Sequence, residues 1–133
     1  MLATTHTLVG AAVGKKLGNP YLAFVFGIAL HFVFDKIPHF WPNERLKKGI
    51  MLAFDWLFCL GFLIYTFVQK DYTIFAGALG GFGVDFVLLT FAPIRRNRIG
   101  KFHTGIQHHK RNILYFLGDM GIIVLAVFAL RQT

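Results

Sequence analysis

Acidic residues are scarce: six Asp and Glu face fourteen Lys and Arg in 133 residues, and charged residues of both signs make up only 15%. The few charges gather in short clusters between apolar stretches, which argues against a water-soluble bundle whose helices carry one charged face each. Cysteine is almost absent. Cys59 stands alone inside an apolar run, so there is no internal disulfide, and it reads as a small packing residue. The N-terminus, Met1 to His6, lacks the basic start and clean apolar core of a cleavable signal peptide and is expected to stay on the mature protein. No repeat or low-complexity tract interrupts the chain, which is read as one membrane-embedded helical domain over residues 1–133.

Apolar residues are abundant. A hydrophobic content of 56% and a mean hydropathy of +0.58 exceed what the core of one small domain absorbs, so the surplus is expected to face lipid. The net charge of +8 would suggest nucleic acid in a soluble protein. Here the basic residues sit at the ends of apolar segments, and no recognition helix or aromatic-rich polar sheet is left over, so anionic lipid head groups are the expected partners and nucleic acid is not.

The pattern predicts an all-α, polytopic membrane bundle of four to five hydrophobic helices. The first segment, Leu2 to about Leu17, is short and ends in Lys15 and Lys16, which suits partial insertion or a tilt. Pro20 opens a run from Tyr21 to about Ile37 that Pro38 and Pro42 bracket. Past Asn43, Glu44, Arg45, Lys47 and Lys48, the stretch Gly49 to Val68 is long enough to cross about 30 Å of hydrocarbon. Tyr72 to Ile94 forms the next helix and Ile113 to Leu130 the last, with a polar segment to Asn112 between them. Tyr21, Trp41, Tyr65 and Tyr72 fall at segment ends as interface anchors. The loops after the second and fourth helices hold most of the basic residues, which places them on the cytoplasmic side of an inner, multi-pass membrane protein. Lys15 and Lys16 fall on the less favoured side.

An ionised side chain at bilayer depth costs from about 2.5 to more than 10 kcal/mol, so it needs a partner or a wet cavity. With about 1.5 Å of rise per residue, His31, Asp55, Asp85 and Asp119 each fall roughly 10 Å in from the same face. His6 joins that layer if the first helix runs inward from the cytoplasm. Glycines share the same stripes: Gly27, His31, Asp35 and His39 recur every four residues, Gly77, Gly81 and Asp85 do likewise, and His6 precedes Gly10, Gly14 and Gly18. The polar stripe is therefore expected inside the bundle. Imidazole with carboxylate, and no Lys or Arg at depth, is the donor set of a divalent metal of the zinc, manganese or iron type, zinc foremost.

Each feature has a plainer reading. His31 with Asp35 also fits a helix-packing hydrogen bond, and His39 fits a solvated interfacial position. His108 and His109, beside Lys110 and Arg111, fit a wet segment, so His103 is the preferred loop histidine. The glycines from Gly77 to Gly83 lie in an apolar helix after no strand, which is packing and not a phosphate loop.

The run Ala3-Thr-Thr-His6-Thr-Leu-Val-Gly10, followed by His31-Phe-Val-Phe-Asp35-Lys-Ile-Pro-His39, resembles small membrane-bound metal-dependent hydrolases of the YdjM-like group. More distantly it is similar to zinc-dependent phospholipase C, with an early histidine and an H-x-x-x-D helix. The resemblance covers roughly the first 40 residues, and more loosely Asp85 and the region His103 to His109. It implies metal binding by His6, His31, Asp35 and Asp85. The group often has a proline-aspartate-x-aspartate-histidine run, where this chain has Asp35-Lys-Ile-Pro-His39 with one carboxylate. The implied activity is metal-assisted hydrolysis of a phosphoester in a lipid or lipid-linked substrate at the cytoplasmic face. Asp55, Asp119 and His103 are the candidate acid or base residues, and His39 and His109 possible further ligands. Arg95, Arg96, Arg98 and Lys101 are placed to hold an anionic head group. A metal or proton transporter or relay, or a structural or haem-binding bundle, would draw on the same histidines. Thr66, Gln69 and Thr73 make only a thin polar trail toward the other face.

Overall fold

The computed structural model describes residues 1–40, 45–110 and 113–132, and over them the chain is all-α. The helices are α1 (Ala3–Leu17), α2 (Pro20–Asp35), α3 (Arg45–Val68), α4 (Tyr72–Thr90), α5 (Ala92–Arg96), α6 (Arg98–Ile106) and α7 (Ile113–Arg131). Two short strands, β1 (His39–Phe40) and β2 (His109–Lys110), pair in parallel with His39 opposite His109. Trp41, Pro42, Asn43, Glu44, Arg111 and Asn112, expected from the sequence as an interface anchor and loop residues, lie outside the described residues.

Local chemistry sets the boundaries. Gly18, at φ 63°, ends α1 in the left-handed conformation and bonds its N–H to the Gly14 carbonyl, so it caps the helix and does not extend the glycine stripe. Asn19 then accepts from the backbone N–H groups of Tyr21 and Leu22 at 3.0 and 3.1 Å, with Pro20 in the first turn, and α2 starts there. The expected helix from Tyr72 to Ile94 stops at Thr90. Pro93 has no N–H for the carbonyl one turn back, and Phe91 takes an extended conformation. In the segment expected to be a polar connection, Asn97 accepts from Ile99 and Gly100 and opens the nine-residue α6.

The helices alternate in direction. His6, Gly10 and Gly14 of α1 lie against Gly81, Gly77 and Thr73 of α4, an antiparallel pair, and Gly14 also meets Ala23 of α2. Ala3, Thr4 and Thr7 contact Asp55 and Cys59, so α3 runs with α1. At the far end Lys15 Nζ donates to the carbonyl oxygen of Leu130, which aligns α7 with α1 as well. The ends bearing His6, Asp35, Asp55, Asp85 and Asp119 therefore lie together.

Polarity is arranged with the polar groups inside. The largest fully buried side chains are His31, His39, Thr5, Thr7, Asp35, Asp119 and Cys59, while Tyr21, Phe54 and Leu125 are 83%, 71% and 69% exposed. A soluble fold of this size buries the second set and exposes the first. Among the described residues, two helices are long and apolar enough to cross a membrane, α3 over Lys47–Val68 and α7 over Ile113–Arg131. The apolar helix α2 and the stretch Tyr72–Leu88 of α4 are shorter.

Candidate metal centre

The centre depends on helices that touch backbone to backbone. A methyl group at Gly10 would overlap the Gly77 carbonyl, and one at Gly81 would overlap the carbonyl of His6. No residue with a side chain fits either position without parting α1 from α4. The close approach puts the His6 and His31 rings 4.0 Å apart, centroid to centroid, with α4 beside both. Asp35 lies one turn beyond His31 on α2, and Asp85 one turn beyond Gly81 on α4.

His31 is oriented from behind. Its Nδ1–H donates to the Gly81 carbonyl oxygen at 2.8 Å, so the neutral ring turns the Nε2 lone pair forward. Facing that lone pair are Asp35 Oδ2 at 3.2 Å, His103 Nε2 at 3.1 Å and Asp85 Oδ1 at 3.7 Å. His103, delivered by α6, is 2.9 Å from Asp35 Oδ2 and 3.4 Å from Asp85 Oδ1. His6 Nε2 meets the other Asp35 oxygen at 3.1 Å, as does the amino group of Met1 at 3.4 Å. The amide of Gln107, one turn after His103, donates to Asp35 Oδ2 at 3.2 Å.

The donor set fits a divalent cation. Three ligand atoms bound tetrahedrally at about 2.0 Å stand about 3.3 Å from one another. His31 Nε2, His103 Nε2 and Asp35 Oδ2 form a triangle with sides of 3.1, 2.9 and 3.2 Å. Two groupings, His31 with Asp35 and His103, and His6 with His31 and Asp85, bring their ligand atoms within 4.8 Å of one another. They share His31, whose one forward nitrogen would serve a single ion. His6 Nδ1 is buried with no hydrogen-bond partner among the described residues, a further sign of a donor set not satisfied by protein alone. Burial works against the charged form of His103, but its hydrogen bonds to Asp35 and Asp85 outweigh that and push its pKa up to about 9.

The other site residues expected from sequence lie elsewhere. Asp55 accepts from the backbone N–H groups of Ala3 at 2.7 Å and Thr4 at 2.9 Å, capping α1 across the bundle where Leu2 has no capping side chain. Asp119 is 1% exposed, hydrogen-bonded by the backbone of Phe40, and its Oδ2 has no partner among the described residues. Neither belongs to the two ligand groupings. His39 is fully buried, with Nδ1 3.1 Å from the Ile37 carbonyl and its backbone in the β1–β2 pair, so the solvated position is corrected. His108 is exposed, and the backbone of His109 pairs with β1. Arg96, Arg98 and Lys101 are exposed on α5 and α6, the segment that carries His103, and Arg95 lies in the same turn as Arg96.

Sequence reasoning missed Gln107 as a partner of Asp35. Its signal was the i, i+4 spacing from His103 after an Asn97 cap. Comparison with family models, curated proteins and solved structures finds no match to this chain.

Proposed function

We propose that this chain is a multi-pass inner-membrane protein whose His/Asp cluster holds a divalent cation, zinc foremost, and hydrolyses a lipid-borne phosphoester at the cytoplasmic face. The observation that carries the reading is the convergence of His31, His103 and Asp35 at ligand spacing, with the back of His31 fixed by a carbonyl. The exposed apolar surface of α2, α3 and α7 supports immersion in lipid. The likeness to YdjM-like hydrolases points the same way. The basic α5–α6 segment shares the cluster's end of the bundle, and the preference of such segments for the cytoplasm supports the orientation.

A bound cation there supplies Lewis acidity, polarising a phosphoryl oxygen and acidifying water. The chain's own groups do the rest. Gln107 holds Asp35 in place from the loop side, and the Gly81 carbonyl holds His31. His6, against the second Asp35 oxygen, is placed to hold or pass a proton. Arg96, Arg98 and Lys101 supply positive charge for a phosphate-bearing head group.

A relay is less well supported. The buried Thr66, toward the other end of α3, spends its hydroxyl on its own helix at Phe62 and Leu63. A haem-binding reading needs a slot between histidines, whereas the His6 and His31 rings lie 4.0 Å apart. The test is elemental analysis of the purified protein together with phosphatase and phospholipase assays. Stoichiometric metal, lost with the activity in His31→Ala and Asp35→Ala, is the expected result. Hydrolysis that persists after chelation would reject the reading.

A further inference from the structure

Along the outside of α2 and α4 runs an apolar groove of 580 Å³ that the proposed hydrolysis leaves unused. Its walls include Phe24 and Phe32 of α2 and Gly83 and Val87 of α4, with Ile94 of α5 and Ile99 of α6 also lining it. From Phe24 to Phe32 it follows α2 for about 12 Å. Phe32 stands at the junction: it lines the groove and lies edge-on to the rings of His31 and His103, at 5.6 and 6.3 Å. Ile94 and Ile99 bracket the exposed basic residues Arg96 and Arg98, with Lys101 two residues on. The lining is hydrocarbon throughout, and at its Ile94–Ile99 end the groove is flanked by the exposed basic residues of the α5–α6 segment that carries His103.

We propose that this groove seats one acyl chain of an anionic phospholipid, with the head group lying between the basic α5–α6 segment and the His/Asp cluster. The groove and its surroundings together select this occupant. A uniformly apolar helix from a second copy would leave the flanking basic residues unanswered, whereas an amphiphile with a negative head and a hydrocarbon tail satisfies both the groove and its basic flank. The position of Phe32 sets the register, because a chain packed on its ring brings the ester region beside His103. Turnover of the seated lipid rests on the hydrolase reading; its binding does not.

Gly83 gives the means of testing it. A Cβ added at Gly83 meets open space, and Gly83 lines the groove, so Gly83→Leu is placed to fill it. Gly61 on α3 also faces open space and is exposed, away from the groove, so Gly61→Leu is the matched control. The full-length protein is placed in phosphatidylcholine nanodiscs containing a minor fraction of phosphatidic acid with a mid-chain diazirine, irradiated and mapped by mass spectrometry. Crosslinks are expected to concentrate on the facing sides of α2 and α4, and to fall about tenfold in Gly83→Leu but not in Gly61→Leu. Should Gly83→Leu not fold, Val87→Trp, at a position 38% exposed on the groove wall, serves in its place. In turnover, the ratio of long-chain to short-chain phospholipid hydrolysis is expected to drop in the groove variant alone. Crosslinks spread evenly around the bundle, or unchanged in the groove variant, would overturn the proposal. So would protein-to-protein crosslinks at Val87 in place of lipid. Localised crosslinks with no turnover of any phosphoester would support the groove and reject the hydrolase.

Discussion

Both ring nitrogens of His31 are engaged, one by the Gly81 carbonyl and one by the cluster, so the side chain has no freedom to be replaced. His31→Gln keeps a polar group but not the paired geometry, and metal content is expected to fall to background in the purified variant. His103 is different because it carries a proton readily. Its raised pKa contributes stability to the metal-free protein that is complete below the ordinary value of 6.5 and lost as pH rises through about 9. A cation requires the neutral ring, so apparent zinc affinity should rise by about tenfold per pH unit across that interval. Competition titrations with a chelator at several pH values check this, and a flat profile would contradict it. Asp55 makes the opposite prediction. Removing its carboxylate in Asp55→Ala leaves the first N–H groups of α1 without their acceptor, and is expected to cost about 1–2 kcal/mol in unfolding while metal content stays at the wild-type level. Loss of metal with unchanged stability would instead return Asp55 to the cluster.

At the scale of elements, two features build the centre: the glycine contact of α1 with α4, and the cap of α6. Gly81→Ala pushes a methyl into the His6 carbonyl, and overpacking of this kind costs about 1–3 kcal/mol. The expected sign is a lowered melting temperature together with weakened metal binding, since His6 and Asp85 separate. Asn97→Ala removes the acceptor for Ile99 and Gly100, worth about 1 kcal/mol. Because α6 is short and presents His103, its fraying should reach the metal affinity with little change in global unfolding. This is also where legibility in the sequence ended. That His6, His31 and Asp85 share one end of the bundle followed from counting residues, and the glycines on the same stripes placed those groups inside it. Counting gives position along an axis but not direction around it. Asp55 and Asp119 lie at the cluster's end of the bundle, yet one turned to the start of α1 and the other toward β1. A nine-residue helix in a basic segment has too little periodicity to stand out, and the burial of His39 depends on a pairing between residues seventy positions apart.

For the whole molecule, the arrangement of a polar interior and a hydrocarbon exterior predicts how it sits. If the cluster end faces the cytoplasm as proposed, a cysteine introduced at Lys70 is expected to react with an impermeant maleimide from outside the cell, and one at Lys101 only after lysis. Cys59 gives a quiet background, since it is fully buried and its sulfur accepts from the Thr7 hydroxyl at 3.2 Å. Labelling of both positions from the same side would contradict the orientation. The candidate ligands lie at positions 6, 31, 35, 85 and 103, on four separate helices, so no early fragment of the chain holds them all. Residues 1–103 must all have left the ribosome before these five side chains can come together. A product stalled short of His103 would lack one of the five, so an ion held by the full set would mark a chain elongated past that residue.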